Sequence, residues 1–249
     1  MLHTRGVKIT SVLVVSLLLY TAYAFYSSRH MSYKTANRES ARISPLPKDH
    51  PEAIVQVFYA RTFGWRGKFA VHSWIAFKEK NAEQYWVTQV LGWRKYRKMS
   101  VVALDQDLPD RIWFDHMPVL QEQLEGAKAE EAIIQIQKAI QSYPYPDEYI
   151  MWPGPNSNSY IAHIIRNVDL LKIELPPHAI GKDRLMKHRL LDVSMAGRGL
   201  SFSLYGVVGF TLGLREGIEF HILTLCFGLD FLRPALKLPF LGRVGLKDA

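Results

Sequence analysis

One cysteine in 249 residues, Cys226, leaves no partner for an intramolecular disulfide and no CxxC or Cys/His cluster at the spacing that zinc sites use. It lies in Ile222-Leu-Thr-Leu-Cys-Phe227, an apolar run in which a lone thiol ordinarily packs as a small hydrophobe. The net charge is +8, yet no zinc finger, RNP motif or basic helix accompanies it. Nucleic acid is therefore not an expected partner. The densest basic stretch, Trp93-Arg-Lys-Tyr-Arg-Lys98, reads as a solvated loop, and the other basic residues are scattered among acids. A phosphate loop is also missing: Gly181-Lys182 has Pro176 where the upstream glycine belongs and Asp183 where Ser or Thr would hold magnesium. No metal and no cofactor is expected. With 48% hydrophobic and 22% charged residues, wholesale disorder is excluded, and the length suits one sizeable core.

What is present begins with an uncharged stretch from Ile9 to Tyr26, preceded by Arg5 and Lys8 and nearly long enough for a bilayer span. Two readings stay open. Residues 1–26 are either a signal anchor that remains or a secretory signal cut after Ala22-Tyr-Ala24. Both favour export, to the periplasmic side of an inner membrane or beyond it. The excess of positive charge suits anionic headgroups. Residues 27–51 are polar, with Pro45, Pro47 and Pro51, and read as a tether to a single folded unit over 52–249.

Three strands open that unit, over 53–60, 68–77 and 85–91, with a turn at Lys80-Asn81. If the hairpin folds symmetrically about that turn, His72 faces Gln89. His72 shares its strand face with Ala70, Trp74 and Ala76, and so apolar a setting demands a hydrogen-bond partner for the ring. Residues 109–114 read as a strand edge or pocket wall. Helical spacing covers 118–142, with Gly126 dividing it into two helices. Strand periodicity marks β-hairpins over 199–231, and 234–245 reads as an irregular tail.

The segment that organises the chain is Met151-Trp-Pro-Gly-Pro-Asn-Ser-Asn-Ser-Tyr160. Its prolines forbid regular structure, whereas Ile161, Ile164, Ile165 and Val168 follow at helical spacing, so a helix begins near Asn156. Asn156 suits the N-cap, and Ser157 falls in the first turn beside unpaired backbone N–H groups and the positive end of the helix dipole. Simple capping accounts for the segment by itself. A strand histidine with a polar neighbour upstream adds the parts of a nucleophile, a base and an orienting group. Ser157 is the candidate nucleophile, His72 the base and Gln89 the residue that holds the imidazole. N–H groups near Asn158 are the expected oxyanion donors. Asn156, Asn158, Trp74, Lys182 and Asp183 are the candidate substrate-binding or wall residues.

The order of strand histidine, second strand, helices and then Asn156-Ser157-Asn158 opening a helix resembles the circularly permuted papain-like (NlpC/P60 type) fold, which includes lecithin:retinol acyltransferase-like proteins. That family carries cysteine where this chain has Ser157. A closer resemblance rests on Val71-His-Ser-Trp-Ile75, Pro109-Asp-Arg-Ile-Trp113, Trp152-Pro-Gly-Pro-Asn-Ser-Asn158, Leu175-Pro-Pro-His-Ala-Ile-Gly-Lys-Asp183 and Leu238-Pro-Phe-Leu-Gly-Arg243. It is to the bacterial domain-of-unknown-function 3750 family, and it implies an envelope location and no particular activity. The expectation is an α+β protein, an antiparallel sheet packed on helices behind a transmembrane helix. The expected function is a hydrolase or acyltransferase acting on an amide or ester of the envelope, a peptidoglycan peptide or a lipid. A non-catalytic binding protein using the same cleft is the rival.

Overall fold

The computed structural model describes residues 2–187 and 189–246, and for residues 2–10 and 13 the backbone alone. The fold is α+β with antiparallel sheets and few helices. Helix α1 (Leu2–Ser28) leads into a five-stranded sheet of β1 (Ile54–Arg61), β2 (Val71–Lys78), β3 (Trp86–Val90), β4 (Val102–Gln106) and β5 (Val119–Glu125), in the order β4-β3-β2-β1-β5. Two helices follow, α2 (Gly126–Gln141) and α3 (Ser157–Arg166). A long irregular stretch then delivers the chain to a seven-stranded meander: β6 (Leu191–Val193), β7 (Gly199–Leu204), β8 (Val208–Gly213), β9 (Gly217–Ile222), β10 (Leu225–Asp230), β11 (Ala235–Leu238) and β12 (Gly242–Gly245).

β1 and β2 are buried along nearly their whole length, as strands covered on both faces must be. On one face Val55, Val57, Val71, Ile75 and Phe77 meet Ala132, Ile133 and Ile136 of α2 and Tyr160, Ile161 and Ile164 of α3. On the other, Phe58, Trp74, Ala76 and Val87 form a second cluster closed by Trp113 and Leu120. Part of that cover is the stretch expected as a tether. Asp110, 1% exposed, accepts from Ser40 Oγ at 2.8 Å and from the Ile43 and Ser44 amides at 2.6 and 3.0 Å, and Tyr85 donates to the Pro45 carbonyl. Residues 40–45 are thereby strapped onto the domain.

Two sequence readings are corrected here. The first half of the expected helix over 118–142 is strand β5, paired with β1, and the helix starts only at Gly126 (φ +58°). The expected tail contains β11 and β12, which continue the meander. Among the described residues no helix is long and apolar enough to cross a membrane, and the anchor expected over 1–26 falls in part outside them. The described end of α1 packs on the folded part, with Tyr20 edge-on to Phe69 at 5.3 Å and Phe25 stacked on Trp65 at 4.6 Å.

Candidate functional site

A cavity of about 730 Å³ lies where β2 begins and β3 ends, and Ser157 and His72 both line it. Its walls are aromatic: Phe63, Trp65, Phe69, Trp93, Trp113 and Trp152. The 109–114 segment read as a pocket wall supplies Trp113 and Phe114.

Ser157 is placed by the cap of α3. Asn156 Oδ1 accepts from the Asn158 and Ser159 amides at 3.0 and 3.1 Å, and Ser159 Oγ accepts from the Asn156 amide at 2.8 Å, completing a capping box. Asn156 Nδ2 donates to the carbonyls of Met151 and Ile180, tying the Pro-rich turn and the later loop to the same side chain. Gly181 follows from this. It has φ +88°, and a Cβ there would stand 2.7 Å from Asn156 Nδ2, so the Gly-Lys pair that imitates a phosphate loop is a close backbone approach to the cap.

The capping geometry narrows the expected set of N–H groups near Asn158. The Asn158 amide is used by Asn156, and among the described residues the Ser157 N–H is the first-turn amide left without an acceptor. The Asn158 side chain is also engaged, accepting from Ser73 Oγ at 2.6 Å and donating to the Val71 and Ile180 carbonyls at 3.0 Å each. Asn156 and Asn158 line the cavity with side chains already engaged in hydrogen bonds within the protein.

His72 Nε2 lies 2.8 Å from Gln89 Oε1. With the amide oxygen facing the ring, Nε2 carries the hydrogen and Nδ1 keeps its lone pair. β2 pairs Ile75 with Thr88 and Ala76 with Val87 of β3, and the same register carried on places Gln89 opposite Trp74, two residues from the expected position. A slip of two preserves the face, so the contact survives as a diagonal. The ring stacks on Trp113 at 4.0 Å, and burial pulls its pKa down to about 4, against a smaller upward pull from Gln89. The imidazole is therefore neutral at neutral pH.

The two candidates approach the cavity from different sides. Ser73 and Thr88 bond to Asn158 and Tyr160 of α3, so the odd-numbered face of β2 carries the helix, while His72 lies on the other face with Trp74. Ser157 and His72 meet around the end of the sheet, and no hydrogen bond joins them.

Three expected wall residues lie elsewhere. Trp74 is 2% exposed, packs on Phe58 and donates to the Pro109 carbonyl. Lys182 and Asp183 are buried under the meander, where Lys182 donates to Glu219 Oε1 at 2.9 Å and to the Leu175 carbonyl at 3.0 Å. Burial opposes the Lys182 charge, but Cys226, Glu219 and Glu174 outweigh it and hold the pKa above the usual range. Lys237 joins them, donating to Glu174, Glu219 and the Glu216 carbonyl. Sequence reasoning missed this buried network. Its signal was the alternation Glu219-x-His221 on one strand face, hidden by reading Cys226 as part of an apolar run.

Fold and cavity together define an α+β protein with an aromatic cleft closed by a capped helix N-terminus. The particular family follows from the match over residues 52–184, more than half the chain: it belongs to the family described as protein of unknown function (DUF3750). That span holds every cavity residue and ends at Asp183 and Arg184, before the meander. No curated protein and no solved structure matches the chain.

Proposed function

We propose that this is a membrane-apposed envelope enzyme, a hydrolase or acyltransferase that takes an amide or ester bearing an apolar group into the aromatic cleft. One observation carries the reading: a helix-terminal hydroxyl, its unpaired amide and a neutral imidazole with a free ring nitrogen line one cavity. In the reaction His72 Nδ1 takes the Ser157 proton as Oγ attacks the acyl carbon, and the Ser157 N–H supports the developing oxyanion. His72 then returns the proton to the leaving group, and water or a second acceptor releases the acyl chain. The apolar walls suit a lipid better than a peptidoglycan peptide. Direct transfer requires the ring and the hydroxyl to close on each other when substrate enters, as catalytic hydrogen bonds often do. The resemblance to the permuted papain-like order of histidine and helix-borne nucleophile supports the same reading.

A second reading, a non-catalytic envelope protein that holds an apolar ligand in this cleft, is favoured by the missing Ser157–His72 hydrogen bond. A fluorophosphonate bearing an alkyl chain separates the two. The enzyme reading expects label on Ser157, lost in Ser157→Ala and strongly slowed in His72→Ala. A folded chain that takes no label leaves the binding reading.

A further inference from the structure

The seven-stranded sheet turns a polar face inward. On it Glu219 and His221 project side by side from β9, and Cys226 stands directly opposite His221 on β10. All three are 1% exposed, and one donor atom from each lies within 4.8 Å of the others. His221 Nε2 is 3.3 Å from Glu219 Oε2, out of line for a hydrogen bond.

A fourth donor comes from outside the sheet. Asp183, 4% exposed, packs over Gly209: a Cβ on that glycine would stand 3.4 Å from Asp183 Oδ2 and 3.3 Å from His221 Cβ. Both Asp183 oxygens and both His221 nitrogens lack a hydrogen-bond partner. A buried carboxyl and a buried imidazole left without hydrogen-bond partners are costly. The two neighbouring lysines do not relieve this cost, since both donate to Glu219 Oε1, and Oε2 faces His221.

We propose that Glu219, His221 and Cys226 bind one divalent transition-metal ion of the zinc class, and that Asp183 closes on it from the loop above when the ion is present. The donor set decides the class: a thiolate and an imidazole disfavour magnesium and calcium, whereas mixed sulfur, nitrogen and oxygen donors suit zinc or cobalt. With Asp183 drawn in as the fourth donor, the buried setting makes the site structural. The ion fastens β9 and β10 to the loop that carries Gly181, and through Asn156 to the helix bearing Ser157. Binding releases the Cys226 proton to water, so affinity increases with pH. The competing arrangement is metal-free, with His221 paired to Glu219 alone.

The full chain is produced in medium supplemented with zinc or with cobalt, dialysed against metal-free buffer and measured for metal content and absorption. The expected result is one equivalent per chain and, for cobalt, a thiolate-to-metal band in the near ultraviolet together with visible bands of tetrahedral cobalt. Cys226→Ser abolishes the near-ultraviolet band, and Asp183→Asn with His221→Gln removes the ion. A wild-type chain that is folded by circular dichroism but retains no zinc or cobalt overturns the proposal, as does a cobalt spectrum unchanged in Cys226→Ser. Because the readout is on the unsubstituted protein, a variant that fails to fold does not decide the matter, and the result is independent of Ser157 labelling.

Discussion

His72 concentrates what a single residue can reveal. Burial lowers its pKa to about 4, and His178 is lowered to about 3 by burial and by Arg61 and Lys182. In the folded protein both rings stay neutral at pH values where the unfolded chain, titrating near the ordinary value of 6.5, takes up protons. Stability from these groups is therefore intact above about pH 6.5 and falls as the pH drops toward 4, because the unfolded state then binds more protons. For His72 the loss amounts to about 3 kcal/mol at the lower end. Urea unfolding between pH 7 and pH 4 should show that slope, and His72→Gln, which keeps a neutral polar ring-sized group, should flatten it. A slope identical in the variant would remove His72 from the account. The identity of this residue and its partner was legible in the sequence, since a histidine on an apolar strand needs a polar neighbour. Its side of the sheet relative to α3 was not, because both faces of β2 are apolar and parity alone does not say which one a helix covers.

At the scale of elements, the cap of α3 is the best case of local sequence dictating structure: proline, glycine and proline exclude earlier helix, and Asn156 stops the frayed amides. Asn156→Ala removes an acceptor from two amides and a donor from two carbonyls, so it should cost about 2 kcal/mol or more, above an ordinary cap deletion. Gly181→Ala should destabilise by a similar order, through positive φ and the collision with Asn156 Nδ2. The two are coupled. In the Asn156→Ala background the collision is gone and only backbone strain remains, so the double variant should lose less stability than the sum of the singles by thermal or urea unfolding. Additive losses would place the clash elsewhere. β5 shows the opposite case. Leu120 and Leu124 are four apart, a spacing that suits one face of a helix, yet they pair with the vacant edge of β1 through a bulge that sends Leu120 to the Phe58 side and Leu124 to the Val55 side. β11 and β12 were hidden for the same reason: strands of four residues, Ala235–Leu238 and Gly242–Gly245, carry too little pattern to stand out beside Pro234 and Pro239.

Over the whole molecule, the alternation read as hairpins has a consequence that no single strand shows. In register across the meander run Leu200, Leu212, Ile218, Leu229, Leu236 and Val244, and beside them Leu191, Phe202, Phe210, Phe220 and Phe227. This is the outward face. Leu200 and Phe220 are each 54% exposed, while the opposite face buries Ser201, Thr211, Glu219 and Lys237. Seven strands at about 4.8 Å spacing and up to about 20 Å long give an apolar face of roughly 500 Å², toward the upper end of what soluble monomers leave in water. The apolar surface also continues past the sheet, through Leu223 and Leu241 in the turns and through Phe240, which meets Phe69 and hence α1 with its exposed Leu17, Leu18 and Leu19. On the membrane-apposed reading proposed above, a bilayer surface would cover both sheet and helix, and the net charge of +8 would favour an anionic one. At about 25 cal/mol per Å², the sheet alone is worth on the order of 10 kcal/mol gross when removed from water. A nitroxide placed by Phe220→Cys on the full chain should accordingly be relaxed by oxygen and shielded from a water-soluble nickel complex in phosphatidylglycerol-containing vesicles, while one at exposed Lys80 should show the reverse. If the Phe220 probe stays open to nickel with vesicles present, the sheet does not lie on the membrane, and the cleft must receive its ligand from water.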